Sequence, residues 1–176
     1  LAKLFTLTGV EGDVEKMVAD VVAIEDAIAA KHWTNVECRD IQKGYNPFTY
    51  ADFKAQYPTI DWDSYFKPLE LKAEDKIVVS QPSSFANTLE VLATADVEAL
   101  RNYVAAHYIN SASSYLSEEY ALASFEFFGK TMSGTQEIRP RWKRAMGVPN
   151  SILSEAVGQM YVAKYFPEAE KVRVET

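Results

Sequence analysis

The sequence predicts an all-α, mainly helical fold, an irregular multi-helix domain with at most one small β hairpin. Three observations lead there. Apolar residues recur at three- and four-residue spacing through long stretches of the chain. Helix-capping residues and prolines punctuate those stretches. Only Ile77-Val78-Val79 reads as a strand.

The first long helix carries Val14, Met17, Val18, Val21, Ile24 and Ile28 in one apolar stripe. Asp13, Glu15, Lys16, Asp20, Glu25 and Asp26 fall mostly off it, and five nearby alanines raise helix propensity. Ahead of it, the stretch around Gly9 and Gly12 reads as a helix end and a short loop. From Thr34 to Pro47 the pattern breaks, and Gly44-Tyr45-Asn46-Pro47 reads as a turn. Thr49 with Asp52 resembles a capping box, with Asp in the Glu position. A short helix through Phe53 should follow and end before Pro58. Asp61 is expected to cap another, Trp62 to Phe66, which Pro68 ends. Ile77-Val78-Val79 is too short for a sheet of its own and is expected to pair with Leu69-Glu70-Leu71.

After Pro82, Phe85, Leu89 and Leu92 mark a short helix. Thr94 is the expected N-cap of the next, with Asp96 and Glu98 in its first turn, where the helix dipole favours negative charge. Leu100, Tyr103, Val104, Tyr108, Tyr115, Leu116, Tyr120, Leu122, Phe125 and Phe128 then predict one helix of more than 25 residues, ended by Gly129. Thr131 to Pro140 reads as a loop, and Trp142 opens a further helix. Ile152, Leu153, Ala156, Val157, Met160 and Tyr161 form a last stripe to Phe166, stopped by Pro167. About seven helices result, without internal repeat or long linker, so residues 1–176 read as a single helical domain.

Composition narrows the function classes. A chain of 176 residues can bury a core of roughly 70% of its unfolded surface. A net charge of −7 argues against nucleic acid or an anionic membrane surface as partner. No apolar run approaches the roughly 20 residues of a membrane span. Leu1 is no initiator, the start lacks a signal-peptide layout, and Lys171 to Thr176 carries no Gly or Pro stop signal. These features lead to the expectation of an internal fragment.

No catalytic or metal-ligating constellation emerges. His32 and His107 are far apart, and neither has a second histidine at helical spacing. His32 is expected at a helix end, and His107 as a structural histidine beside an apolar stripe. Cys38 is the only cysteine; Arg39 beside it could activate a thiol, but no base accompanies it, and a half-buried structural cysteine is expected. The acidic pairs Glu25-Asp26, Asp61 with Asp63, and Glu118-Glu119 read as solvated helix faces. Arg139-Pro140-Arg141-Trp142-Lys143-Arg144 admits a nucleic-acid reading through Arg forks and Trp stacking. The acidic remainder of the chain favours a helix start whose Trp packs inward while its cations meet neighbouring carboxylates.

Three stretches in order resemble the amino-terminal domain of the neprilysin and endothelin-converting-enzyme family of zinc metallopeptidases, including its bacterial endopeptidase members. Val22-Ala23-Ile24-Glu25-Asp26-Ala27-Ile28-Ala29, with Arg39-Asp40 and Tyr45-Asn46, is similar to the family's helix, Arg-Asp and Tyr-Asn turn. Tyr57-Pro58-Thr59-Ile60-Asp61-Trp62-Asp63-Ser64-Tyr65-Phe66 is similar to its Pro-x-Ile-Asp-Trp-x-x-Tyr-Phe segment. Leu100-Arg101-Asn102-Tyr103 through Phe125 and Gly134, then Arg141-Trp142-Lys143-Arg144 and Ala156 to Phe166 with Gly158, Tyr161 and Val162, complete the set. Animal members tend to carry a cysteine shortly after the Arg-Trp pair, where Ala145 stands here, a departure that fits a bacterial member.

The resemblance implies a parent enzyme of two lobes. One would hold zinc through His-Glu-x-x-His and a downstream Glu, beyond this segment, and zinc would activate water there. The other, helical and non-catalytic, would cover the site and admit peptides while excluding folded proteins. On this reading the matched residues Ile60, Asp61, Trp62, Asn102, Tyr103, Arg141, Trp142, Gly158, Tyr161, Val162 and Phe166 are structural, and no catalytic residue transfers. The implied partners are the catalytic lobe of the same chain and its peptide substrates, and the implied location is exported, periplasmic or at the cell envelope. The alternative is a free-standing helical protein–protein interaction module.

Overall fold

Caps and turns decide where this chain changes direction. In the computed structural model, which describes residues 1–166 and 172–173, α1 (Ala2–Thr8) stops at Gly9. There a φ of 67° lets the backbone turn left-handed and its N–H reach the Thr6 carbonyl. Asp13 caps α2 (Val14–Ala29), its carboxylate accepting from the backbone N–H groups of Glu15 and Lys16. His32 lies just past that helix, its N–H bonded to the Ala29 carbonyl. A 3₁₀ turn (Glu37–Arg39) leads to α3 (Ile41–Gly44), capped by Asp40.

Thr49 caps the next helix as expected, but Asp52 answers the Thr49 hydroxyl rather than its backbone N–H, so the reciprocal half of a capping box is not formed. The Thr49 hydroxyl accepts the Asp52 N–H at 3.1 Å and donates to the Asp52 carboxylate at 2.7 Å. It starts α4 (Tyr50–Gln56), which ends before Pro58. Asp61 caps α5 (Trp62–Tyr65) by accepting the Ser64 N–H.

The one small sheet among the described residues pairs differently from the sequence expectation. β1 (Pro47–Thr49) runs antiparallel to β2 (Lys76–Val78), with Pro47 opposite Val78, Phe48 opposite Ile77 and Thr49 opposite Lys76. Leu69-Glu70-Leu71 cannot serve as the partner strand. Lys67–Leu69 is a 3₁₀ turn, and Glu70 takes the left-handed φ of 50°. Phe48 and Ile77 share one face of the pair, and both pack on the aromatic cluster below them.

The expected helix of more than 25 residues is broken. α6 (Pro82–Thr94) contains Thr94 as its last residue, and Asp96, not Thr94, caps α7 (Val97–Ala112). α7 stops at Ser113, a fully buried residue whose hydroxyl donates to the Ile109 carbonyl at 2.8 Å. The Asn110-Ser111-Ala112-Ser113-Ser114 stretch explains the stop, since such side chains compete for backbone groups that helix propagation needs. α8 (Glu118–Ser124) follows, then a π-helical segment, Phe125–Met132. Gly129 sits inside that segment rather than ending it. The chain then passes Gly134, at φ 69°, to α9 (Arg141–Ile152) and α10 (Ser154–Tyr165). Ten α-helices are thus seen among the described residues, against about seven expected. Pro167, expected to stop α10, lies outside the described residues.

Two compact units result, Leu1–Ser124 and Phe125–Thr176. The first contains two cores. Tyr50, Phe53, Tyr57, Trp62, Val79 and Leu89 form an aromatic cluster, ringed by Phe48, Ile60, Phe66, Leu71, Ile77 and Phe85. Its rings meet edge to face, as at Phe53–Trp62 and Tyr57–Phe85, both with centroids 4.9 Å apart. Phe5, Val21 and Ala106 centre a second cluster where α1, α2 and α7 pack. The α2 stripe faces it as expected, with Val21 and Ile24 buried.

In the second unit, α9 and α10 pair with each other, and neither contains a buried residue. No described helix is long and apolar enough to cross a membrane.

Candidate functional site

The matched residues divide by what their side chains touch. Ile60, Asp61 and Trp62 build the aromatic core. Trp62 is 6% exposed and its indole N–H donates to the Tyr57 carbonyl, while Asp61 starts the helix that carries it. Asn102 and Tyr103 belong to the other cluster. Asn102 is 7% exposed on α7 and donates to Asp20 on α2, and Tyr103 packs beside Phe5 and Val21. Arg141, Trp142, Gly158, Tyr161, Val162 and Phe166 lie on the second unit, and all but Phe166 are free of dense packing. Ile60, Asp61 and Trp62 therefore sit together, as do Asn102 and Tyr103.

The titratable groups serve as clamps. Asp63 accepts from the Tyr50 hydroxyl at 2.7 Å and from the Lys54 ammonium at 2.8 Å, and Lys54 also lies 4.7 Å from the Tyr50 ring centroid. The Lys54 bond, then the Tyr50 bond, hold the Asp63 carboxyl below its usual range. Burial, then that same bond to Asp63, pushes the Tyr50 hydroxyl up to about 12. Glu37 is held at about 2, first by the Lys43 ammonium 2.6 Å away and then by the Thr34 N–H and hydroxyl. Each carboxylate is engaged with a neighbour on the protein, in the manner of structural ion pairs.

The remaining sequence candidates fall apart. His107 is half exposed, accepts or donates at 2.7 Å with Glu25 of α2, and its ring centroid lies 4.4 Å from that of Tyr103. Cys38 is exposed rather than half-buried, its thiol 3.8 Å from the Trp33 carbonyl. Among the described residues no group of three or more His, Cys, Asp or Glu is placed to hold a metal.

What the structure does offer is surface. The expected inward packing of Trp142 is not found: the ring is 65% exposed. The cations around it meet no described carboxylate either. Within the second unit α9 packs against α10, and that pairing leaves the Trp142 ring uncovered. Met146, one turn on from Trp142, is likewise exposed, as are Ile152, Leu153, Met160, Tyr161, Val162 and Tyr165.

A second apolar face lies on α7. Asn102, Ala106 and Ile109 turn toward α2, while Val97, Leu100, Arg101, Val104, Ala105 and Tyr108 line a shallow depression on the outer side. Val104 is 63% and Tyr108 75% exposed. The sequence places Leu100, Tyr103, Val104 and Tyr108 in one long helix without dividing its faces. The overlooked signal was that α7 is apolar on two faces, which marks a helix with partners on both sides.

Comparison with known proteins gives these faces a context. Residues 1–176 match the amino-terminal sequence pattern of Peptidase family M13. The chain is 28% identical over 158 residues to a neutral endopeptidase of Lactobacillus helveticus, covering 90% of this chain and 24% of that protein. It is 27% identical over 168 residues to human endothelin-converting enzyme 1, covering 93% of this chain and 22% of that protein. The cryo-electron-microscopy structure of a Mycobacterium tuberculosis zinc metalloprotease in an open state superposes with a TM-score of 0.85. It is 30% identical, with 99% of this chain and 28% of that one covered. The chain thus spans about a quarter of the length of the proteins it matches.

Proposed function

The chain belongs to Peptidase family M13, as its amino-terminal, helical region, and from that membership we propose that residues 1–176 form one non-catalytic lobe covering the active site of a zinc metalloendopeptidase. The lobe restricts substrates to peptides by keeping folded proteins from the reacting centre and closing that centre off from bulk water. Zinc and the groups that activate water belong to the rest of the parent polypeptide.

The observation that carries the reading is the pairing of two facts. The matched residues of the first unit are spent on packing, at Trp62 and Asn102, while large apolar faces of α7, α9 and α10 stay uncovered. Exposed apolar surface of this extent marks a contact face. The catalytic lobe of the same chain is the proposed cover. Ala145, standing where animal members tend to carry a cysteine, supports a bacterial parent, and the family resemblance supports an exported location.

The test uses the parent polypeptide and one cleavable sequence, presented as a short peptide and again within a folded protein. The reading expects chelator-sensitive cleavage of the peptide and little of the folded protein. Equal cleavage of both would remove the restricting role. Chelator-insensitive or absent hydrolysis would instead favour a helical interaction module.

A further inference from the structure

The two units differ in charge. Residues 1–124 carry nineteen Asp or Glu against ten Lys or Arg, whereas residues 125–176 carry eight Lys or Arg against six Glu. Four of those eight, Arg139, Arg141, Lys143 and Arg144, crowd the start of α9.

None of the four forms an ion pair with a described carboxylate. The Arg144 Nε donates to the Arg139 carbonyl at 3.2 Å, and the Lys143 ammonium lies 5.4 Å from the Trp142 ring centroid. Trp142 and Met146 follow one another at helical spacing, both exposed. A cationic rim around an aromatic and a thioether has the composition of an interface anchor, in which Trp and Arg contribute most.

We propose that this face of α9 docks on an acidic, apolar-centred segment of the parent polypeptide outside residues 1–176, with carboxylates seated on Arg141, Lys143 and Arg144 around a pocket for Trp142. Charge complementarity selects the occupant. The chain's net charge of −7 disfavours a polyanion such as nucleic acid or an anionic bilayer. A local acidic patch on a protein does not carry that penalty. The relatives supply the remaining argument, because about three quarters of their length lies outside the matched region. A segment tethered to α9 meets it at high effective concentration. The inference rests on residues 1–176 belonging to a longer chain, as the proposed function does.

Zero-length carbodiimide coupling of the full parent polypeptide, read by peptide mass spectrometry, tests it. The Lys54–Asp63 pair, 2.8 Å apart, serves as the internal control for coupling. The expected result joins Lys143 to an Asp or Glu outside residues 1–176 within one molecule, and Lys143→Arg, which keeps the charge, loses that product. Hydroxyl-radical labelling of the folded parent should leave Trp142 protected. Three outcomes would overturn the proposal: Lys143 coupled only inside residues 1–176, Lys143 coupled between copies in a mixture of isotopically light and heavy protein, or Trp142 freely labelled while the control pair couples. Peptide hydrolysis by the same sample is scored separately, so an active parent with an exposed Trp142 sinks this inference and leaves the covering role standing.

Discussion

Asn102 Nδ2 donates to Asp20 Oδ2 at 2.8 Å, tying α7 to α2 across 82 positions of sequence. The same oxygen takes the Lys16 ammonium at 2.9 Å. The Lys16 bond first, and the Asn102 bond second, hold the Asp20 carboxyl below its usual range. Asn102 is one of the residues matched to the family pattern, and its role is to lock two helices.

Replacing it tests that role. Asn102→Ala removes the bond and opens a small void beside Ala106 on the packed side of α7. The expected loss of folding stability is about 1–2 kcal/mol by urea unfolding, since a typical hydrogen bond contributes about 1 kcal/mol net. No change in the unfolding midpoint would show that the lock contributes nothing.

Trp62 makes a sharper case. Trp62→Phe keeps an aromatic ring in the cluster but leaves the Tyr57 carbonyl without its indole donor. An orphaned buried acceptor costs about 1–3 kcal/mol, and the smaller ring adds a void. Trp62→Ala should cost about 3–5 kcal/mol, as large aromatic deletions do. A Trp62→Phe variant that unfolds at the wild-type temperature would contradict the hydrogen-bond assignment.

At Gly129 two effects oppose each other. Alanine in a helix is favoured over glycine by about 1 kcal/mol. The Phe125 ring, however, occupies the space that a Cβ at Gly129 would take. Overpacking costs about 1–3 kcal/mol, so Gly129→Ala should destabilise the Phe125–Met132 segment. A rise in stability would mean that the ring moves aside freely.

Acid and base limits follow from two clamps. The Glu37 carboxyl, ordinarily near 4.5, sits at about 2 in the folded chain. Its contribution is present above pH 4.5 and is lost as pH falls through about 2. Tyr50, ordinarily 10.0, is raised to about 12, so its contribution is present below pH 10 and is lost as pH rises through about 12. Glu37→Gln should therefore flatten the acid limb of a stability–pH curve, and Tyr50→Phe the alkaline limb. Curves parallel to wild type over those windows would contradict the assignments.

Much of this fold was legible in the sequence because its signals are local. The Thr49 cap, the Asp61 cap and the α2 stripe depend on residues within a few positions of one another. The strand pairing was misjudged because Pro47–Thr49 finds β2 through the aromatic cluster that Phe48 and Ile77 cover together, a long-range choice. The long helix was overextended because its aromatic positions outweighed the Ser-rich stop at Ser113. Trp142 reads as core because a large aromatic ordinarily finds cover, yet its ring is 65% exposed. The two faces of α7 show the same limit: spacing reveals an apolar side but not which partner fills it.

Peptide hydrolysis assayed in parallel on the parent polypeptide and on purified residues 1–176, each with added zinc and with a chelator, tests the central claim most directly. The proposal that this segment is a non-catalytic lobe predicts hydrolysis by the parent, its loss on chelation, and none by residues 1–176 with zinc. Chelator-sensitive hydrolysis by residues 1–176 alone would contradict it.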